Sequence, residues 1–95
     1  MDILSSQLRR APGVLSQRVK PDEPTTVLLN PQTGQYYTLD EVGSRVWQLC
    51  DGEKKVSEIV AAIGGEYDAP REVIESDVVD LLKDLSDEKL VVTLR

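Results

Sequence analysis

The segment GQYYTLDEVGSRVWQL, residues 34–49, decides the fold of this 95-residue chain. Residues 36–38 favour a β-strand, because aromatic and β-branched side chains fit a pleated surface. Asp40 is a good helix N-cap, and apolar residues recur at helical spacing from Val42 to Cys50. A strand that leads directly into a helix, with further helices behind it, is the layout of a small winged-helix-like domain.

Upstream of this segment, two more strands are predicted. Residues 13–19 and the β-prone residues 25–30 precede the strand 35–39, and turn-forming residues separate them. They predict a three-stranded antiparallel sheet. Residues 1–12 show no clear period and are predicted to be a flexible N-terminal arm, which leaves residues 13–95 as the domain.

Downstream, three helices are expected. The first covers about residues 40–50 and stops at Asp51-Gly52, where Gly can adopt the left-handed C′ conformation. The second covers roughly residues 56–63, and the third opens near Pro70 and carries the strongest apolar period of the chain. Residues 90–94 are β-prone and could form a last short strand. The predicted fold is α+β and winged helix-turn-helix-like, with the N-terminal sheet followed by three helices.

Composition narrows the function. The net charge of −6 argues against nucleic acid and against anionic lipid as partners, because both are bound mainly through Lys and Arg. No apolar run approaches the roughly 18 residues of a membrane span, and the N-terminus lacks the pattern of a signal peptide. We therefore expect a cytoplasmic protein.

The residues needed for catalysis are mostly missing. The chain has no His and a single Cys, so neither a Cys/His metal site nor a Cys–His nucleophile pair can form. Cys50 falls on the apolar face of the first helix, where a buried thiol is the usual outcome. We expect no catalytic residue, no metal and no cofactor, and a protein that is not an enzyme.

The third helix is acidic, with a net charge of −4 over residues 70–89. A winged-helix transcription regulator would place this helix against DNA phosphates, which would repel it. Asp77, Asp80 and Asp84 form one stripe beside its apolar face. The stripe is either a solvated surface or the acidic rim of a binding groove. Tyr36 and Tyr37 point to opposite faces of their strand, and the outward-facing one is either a simple strand former or a wall of a peptide pocket.

Taken in order, several short motifs resemble the PqqD-like proteins, the recognition elements of ribosomally made and modified peptides. The motifs are LLN at 28–30, GQYYTLD at 34–40, VWQLCDG at 46–52, IV at 59–60, DVVDLL at 77–82 and residues 85–91. Within this family the 34–47 segment is similar to the stand-alone leader-binding proteins of lasso-peptide clusters. The chain departs from the family at residues 88–90, where a Gly is common before the final Leu.

The resemblance implies that a leader peptide adds as a strand to the edge of residues 35–39 and lies against the third helix. It also implies a separate cysteine protease (the leader peptidase) and a cyclase as partners. The alternative within the family is a chaperone for the precursor of pyrroloquinoline quinone that works with a radical SAM enzyme. An unpaired edge allows either a monomer or an edge-paired homodimer. The candidate peptide-binding residues are Gln35, Tyr36, Tyr37, Thr38, Leu39, Val73, Ser76, Asp77, Asp80, Leu81 and Asp84. Val73 and Leu81 are expected to be apolar anchors, and the Asp residues to face polar or cationic leader positions.

Overall fold

A computed structural model describes residues 3–20, 22–23 and 25–94. Within these residues, six strands and three α-helices follow a short 3₁₀ turn at Ile3–Ser5. The strands are β1 Gln7–Arg10, β2 Leu15–Arg18, β3 Thr26–Asn30, β4 Gln35–Leu39, β5 Asp51–Lys55 and β6 Val91–Thr93. The helices are α1 Glu41–Leu49, α2 Val56–Glu66 and α3 Arg71–Asp87. The α+β class, with a three-stranded antiparallel sheet followed by three helices, is confirmed.

The predicted sheet is β2-β3-β4, and both of its strand pairs are antiparallel. Leu28 lies in the centre of β3, is fully buried and pairs with Ser16 on one side and Tyr37 on the other. The register sets these three residues side by side across the sheet. They therefore lie on the same face, the inner one, which packs on the core, while their neighbours along each strand point the other way. The sheet therefore has one covered face, and β4 forms one of its edges.

A second antiparallel sheet, of order β5-β1-β6, corrects the sequence-based prediction. Residues 1–12 were predicted to be a flexible arm, yet Gln7–Arg10 forms the central strand of this sheet. Its Leu8 is only 3% exposed and belongs to the core. The prediction is wrong for this strand, whose hydrogen bonds come from strands far away along the chain. Met1 and Asp2 lie outside the described residues.

Strand β5 begins at the Asp51-Gly52 pair, where the first helix was predicted to stop at a left-handed glycine. Gly52 adopts φ +87°, and a Cβ atom there would meet the Cβ of Arg9 at 3.3 Å, so glycine suits both the backbone and the close approach of β1. The Asp51 carboxylate accepts hydrogen bonds from the Lys54 ammonium and from the backbone N–H groups of Glu53 and Lys54. These bonds, the Lys54 side chain foremost, lower the pKa of Asp51. Helix α1 ends before Asp51 and Gly52 is left-handed, as predicted, but both residues belong to a short strand.

The helices begin and end for local reasons. The Asp40 carboxylate accepts a hydrogen bond from the Gly43 N–H at 2.8 Å, which confirms Asp40 as the N-cap of α1. Helix α3 ends where Leu90 N–H donates to Leu85 O at 2.8 Å, across Lys89 with φ +60°. Lys89 is in the left-handed region that glycine prefers, at the segment where the chain departs from the pattern of the proteins it resembles.

The core is aliphatic and contains a single Trp. Its members come from both sheets and all three helices, with Trp47 and Cys50 among them. No helix in the described part of the chain is long and apolar enough to cross a membrane. Packing of all three helices against one shared core fixes the position of α3 relative to β4, and this spacing creates the site described next.

Candidate functional site

A cleft of about 610 Å³ opens between strand β4, the beginning of α1 and helix α3. Strand β4 pairs with β3 on one side, and no other described strand pairs with it on the other. An edge strand presents unpaired backbone N–H and C=O groups, which can accept a further strand. The cleft thus combines a free strand edge with a helical wall.

Seven of the eleven predicted peptide-binding residues line this cleft. Three come from the strand and four from one stripe of α3, so the fold brings together residues from two distant parts of the chain. They are Tyr37, Thr38, Leu39, Asp77, Asp80, Leu81 and Asp84. Leu39 is almost fully buried and therefore forms the floor of the cleft more than its surface.

The other four predicted residues do not line the cleft. Gln35 and Tyr36 belong to β4, but Tyr36 is 71% exposed and lies on the opposite face of the sheet from Tyr37. Val73 is exposed on the first turn of α3. Ser76 lines a separate, shallower groove between α3 and the N-terminal 3₁₀ turn. Asp80 lines both grooves.

Sequence reasoning missed six further residues of the cleft, most of which lie at the junction of β4 and α1 or within α1. The N-cap position of Asp40 and the helical period beginning at Val42 were both visible in the sequence, but their proximity to α3 was not. The six are Thr25, Asp40, Val42, Gly43, Val46 and Val78. Val46 and Val78 are core residues that close the floor of the cleft.

Tyr37 and Asp84 connect the two walls of the cleft. Burial raises the pKa of Tyr37, and the negative charges of Asp84 and Glu88, together with the interaction of Tyr37 with the Asp84 carboxylate, raise it further. The phenol is protonated at neutral pH, as an ordinary tyrosine would be, and the raised pKa extends this state to more alkaline pH. Because Tyr37 lies on β4 and faces α3, its hydroxyl group gives the cleft a polar contact among aliphatic side chains.

The chemistry of the cleft suits binding better than catalysis. Aliphatic side chains form its floor, and Asp77, Asp80 and Asp84 stand along its helical wall. Among the described residues no group of His, Cys, Asp and Glu side chains is arranged to hold a metal ion. Cys50 is buried outside the cleft, and burial raises its pKa to about 12, which keeps the thiol protonated. An extended, partly apolar chain carrying a cationic residue fits this arrangement.

Residues 25–91 match the sequence model of the family described as coenzyme PQQ synthesis protein D (PqqD). The chain is 39% identical over 56 residues to the PqqA binding protein of Bradyrhizobium diazoefficiens, a match that covers 59% of this chain and 54% of that protein. It is 33% identical over 57 residues to the PqqA binding protein of Gluconobacter oxydans, covering 60% and 59%. The matched part spans little more than half the length of these curated relatives.

Two solved structures are also similar. The first is TbiB1 in complex with the TbiA(beta) leader peptide, at a TM-score of 0.75 and 38% identity, covering 87% of this chain and 93% of that one. The second is the solution NMR structure of the PqqD truncation of Methylobacterium extorquens PqqCD, described as a functional and stand-alone recognition element for ribosomally synthesized and post-translationally modified peptides. It matches with a TM-score of 0.69 and 29% identity over 90% of this chain and 87% of that one.

Proposed function

This chain belongs to the PqqD family, and from this premise we propose that it is a non-catalytic recognition element for the leader segment of a ribosomally made precursor peptide. The observation that carries the proposal is the free edge of β4, which borders the cleft. The cleft has an aliphatic floor and an acidic wall on α3. A peptide that adds as a strand gains affinity from backbone hydrogen bonds and specificity from alternate side chains.

The leader is proposed to pair with the backbone of Gln35–Leu39 and to lie against α3. Leu81 offers an apolar anchor within the cleft, and the three cleft Asp residues suit a Lys or Arg of the leader. Val73 and Ser76 precede Asp77 and Asp80 by one helical turn. A leader longer than the cleft would reach both residues along the same side of α3.

Presentation to an enzyme is the proposed purpose of this binding. A tethered precursor reaches a high effective concentration at the partner's active site, so processing is accelerated without a catalytic group in this chain. Of the alternatives within the family we favour a lasso-type pathway, in which a cysteine leader peptidase and a cyclase act on the bound precursor. The 38% identity to TbiB1, over nearly the whole of that chain, supports this choice.

The second candidate is a PqqA-type peptide, presented to a radical SAM enzyme of pyrroloquinoline quinone synthesis. The curated relatives described as PqqA binding proteins favour it. A transcription regulator is a weaker proposal, because α3 carries six acidic and two basic residues and would be repelled by DNA.

The affinities of two leader peptides distinguish the two peptide proposals. Fluorescence polarisation would measure the dissociation constants of the labelled TbiA(beta) leader, as the lasso-type leader, and of a labelled PqqA peptide. Tighter binding of the lasso-type leader by tenfold or more supports the first proposal, and the reverse order supports the second.

Binding of neither leader, by a protein that circular dichroism shows to be folded, would overturn both proposals.

A matched pair of variants locates the binding site. Leu81→Ala should weaken binding about tenfold, because it removes the apolar anchor of the cleft. Leu94→Ala makes the same change at an exposed leucine outside the cleft and should leave binding unchanged.

A further inference from the structure

A second groove lies on the other side of helix α1 from the cleft. Its volume is about 440 Å³, and strand β2, the α1 helix and Arg10 of β1 form its walls. Its charged residues are Arg10 and Arg18, and no acidic residue lines it. A groove with two cations in a chain whose net charge is −6 indicates an anionic ligand.

The Arg10 guanidinium is held in a defined position. Its Nη1 donates hydrogen bonds to the backbone carbonyls of Trp47 and Gln48, each at 3.0 Å. Its central carbon lies 6.0 Å from the centre of the Trp47 ring. No described acceptor pairs with its Nε or Nη2 atoms. The N–H groups on those two atoms are therefore available to a carboxylate, which a guanidinium can bind through two parallel hydrogen bonds.

Arg18 faces the same groove from β2. The strand register aligns Arg18 with Thr26 and Thr26 with Leu39, and Leu39 is buried, so this row lies on the inner face of the sheet. Arg18 is exposed and forms no ion pair with any carboxylate of the described residues. A carboxylate that enters the groove would therefore be attracted by Arg10 and Arg18 together.

The groove adjoins the cleft. Thr25 lines the cleft and Thr26 the groove, and in α1 Gly43 lines the cleft and Ser44 the groove. The row from Leu39 to Arg18 spans two strand spacings, roughly 10 Å, which about three residues of extended chain would cross. A peptide that leaves the cleft at the Leu39 end of β4 could thus reach Arg18 within a few residues.

We propose that this groove is a second subsite for the precursor peptide, which binds an Asp or Glu side chain located a few residues beyond the segment that pairs with β4. The inference rests on the proposed function. Charge complementarity assigns the two sites different parts of one peptide, because the cleft has an acidic wall and the groove is cationic. A leader bound in the cleft raises the effective concentration of its neighbouring residues to the millimolar range, so even a weak contact in the groove adds to the affinity.

The test uses the full chain and the labelled TbiA(beta) leader. A Gly-Ser-Gly-Ser spacer followed by three Glu residues is added to one end of the leader or to the other, because strand pairing allows both directions. Matched peptides carry three Gln residues in place of the Glu residues. Fluorescence polarisation at low salt measures the dissociation constant of each peptide.

For the wild type, the Glu extension at one of the two ends should bind about threefold or more tightly than the matching Gln extension. Arg18→Gln should abolish this gain and leave the affinity for the unextended leader unchanged. Arg9→Gln is the matched control, because it removes the same charge from an exposed Arg of β1 that does not line the groove. This variant should keep the gain.

Equal affinities of the Glu and Gln peptides at both ends would overturn the second subsite and leave the proposed function standing. Equal losses in Arg18→Gln and Arg9→Gln would overturn it too, because the net charge of the protein would then explain the gain. A free Glu-rich peptide that binds as tightly as the extended leader would overturn the precursor as the occupant, in favour of a separate acidic partner. Failure of the wild type to bind the unextended leader would overturn the proposed function itself.

Discussion

Tyr37 on β4 and Asp84 on α3 interact across the cleft, and this pair links the strand edge to the helical wall. The two residues are 47 positions apart, so their proximity is a product of the fold. Burial of the phenol and the neighbouring negative charge both favour its protonated form. The Tyr37 phenol is thus a neutral polar group beside the place where a peptide strand would lie.

The raised pKa of Tyr37 predicts a dependence of stability on pH. Folding favours the neutral phenol, so this contribution is complete below the ordinary tyrosine pKa of 10.0 and is lost as the pH rises through the higher pKa of the folded state. Tyr37→Phe should therefore reduce the fall in unfolding free energy above pH 10. Urea unfolding at several pH values between 8 and 11, followed by the fluorescence of buried Trp47, measures the difference. An identical fall in both proteins would contradict the prediction.

The acidic wall predicts an electrostatic part of leader affinity. Asp80→Asn keeps the shape of the side chain and removes its charge, and it should weaken leader binding about two- to fivefold at low salt, as expected for a partly exposed ion pair. The variant should also show a smaller loss of affinity on adding salt. Polarisation titrations at about 20 and about 300 mM salt would measure both effects.

Asp87→Asn is the matched control for this experiment. Asp87 lies on the same helix but outside the cleft lining, so its loss should leave affinity unchanged. Equal effects of the two substitutions would mean that the net charge of the protein, and not the cleft wall, attracts the leader.

Sequence reasoning succeeded where local signals and tertiary structure agree. The strand Gln35–Leu39, the N-cap at Asp40 and the apolar period of α3 each follow from short-range chemistry, and each is present in the structure. The second sheet could not be predicted in the same way. Gln7–Arg10 holds a single buried apolar residue, and β5 has the sequence DGEKK, which by itself favours a turn.

The candidate site shows the same division. Residues of β4 and of one stripe of α3 could be selected because each lies on a recognisable element. The N-terminus of α1 also lines the cleft, but this depends on how closely α1 packs against α3. No local sequence pattern encodes that distance. Tyr36 and Tyr37 show a further limit of prediction from sequence. Alternation predicts that they point to opposite faces of the sheet, but only the register with β3 decides that Tyr37 is the one facing α3.

The left-handed conformation of Lys89 predicts a stabilising substitution. This region costs a residue with a Cβ about 1–2 kcal/mol, which glycine avoids at a smaller cost in chain entropy. Lys89→Gly should therefore raise the free energy of unfolding by about 0.5–1 kcal/mol. Lys83→Gly, in the interior of α3, should instead lower it by about 1 kcal/mol. Urea denaturation of the two variants measures both signs, and destabilisation by Lys89→Gly would contradict the assignment.

Burial of Cys50 predicts an unreactive thiol. Desolvation raises its pKa to about 12, against a smaller opposing effect of Arg10, so little thiolate exists at pH 8. A disulfide reagent such as Ellman's should label the folded protein at least a hundredfold more slowly than the protein unfolded in concentrated urea. Fast labelling of the folded protein would show that the thiol is accessible, contrary to its place in the core.

Strand addition at β4 is the central claim, and backbone amide exchange measured by NMR tests it most directly. Adding the leader should slow exchange of amides within Gln35–Leu39 at least tenfold, while β2, at the opposite edge of the same sheet, keeps its rates. A leader with proline placed inside the pairing segment should bind weakly and give no such protection, since proline removes a backbone donor. Protection confined to α3, or full binding of the proline-containing leader, would contradict strand addition.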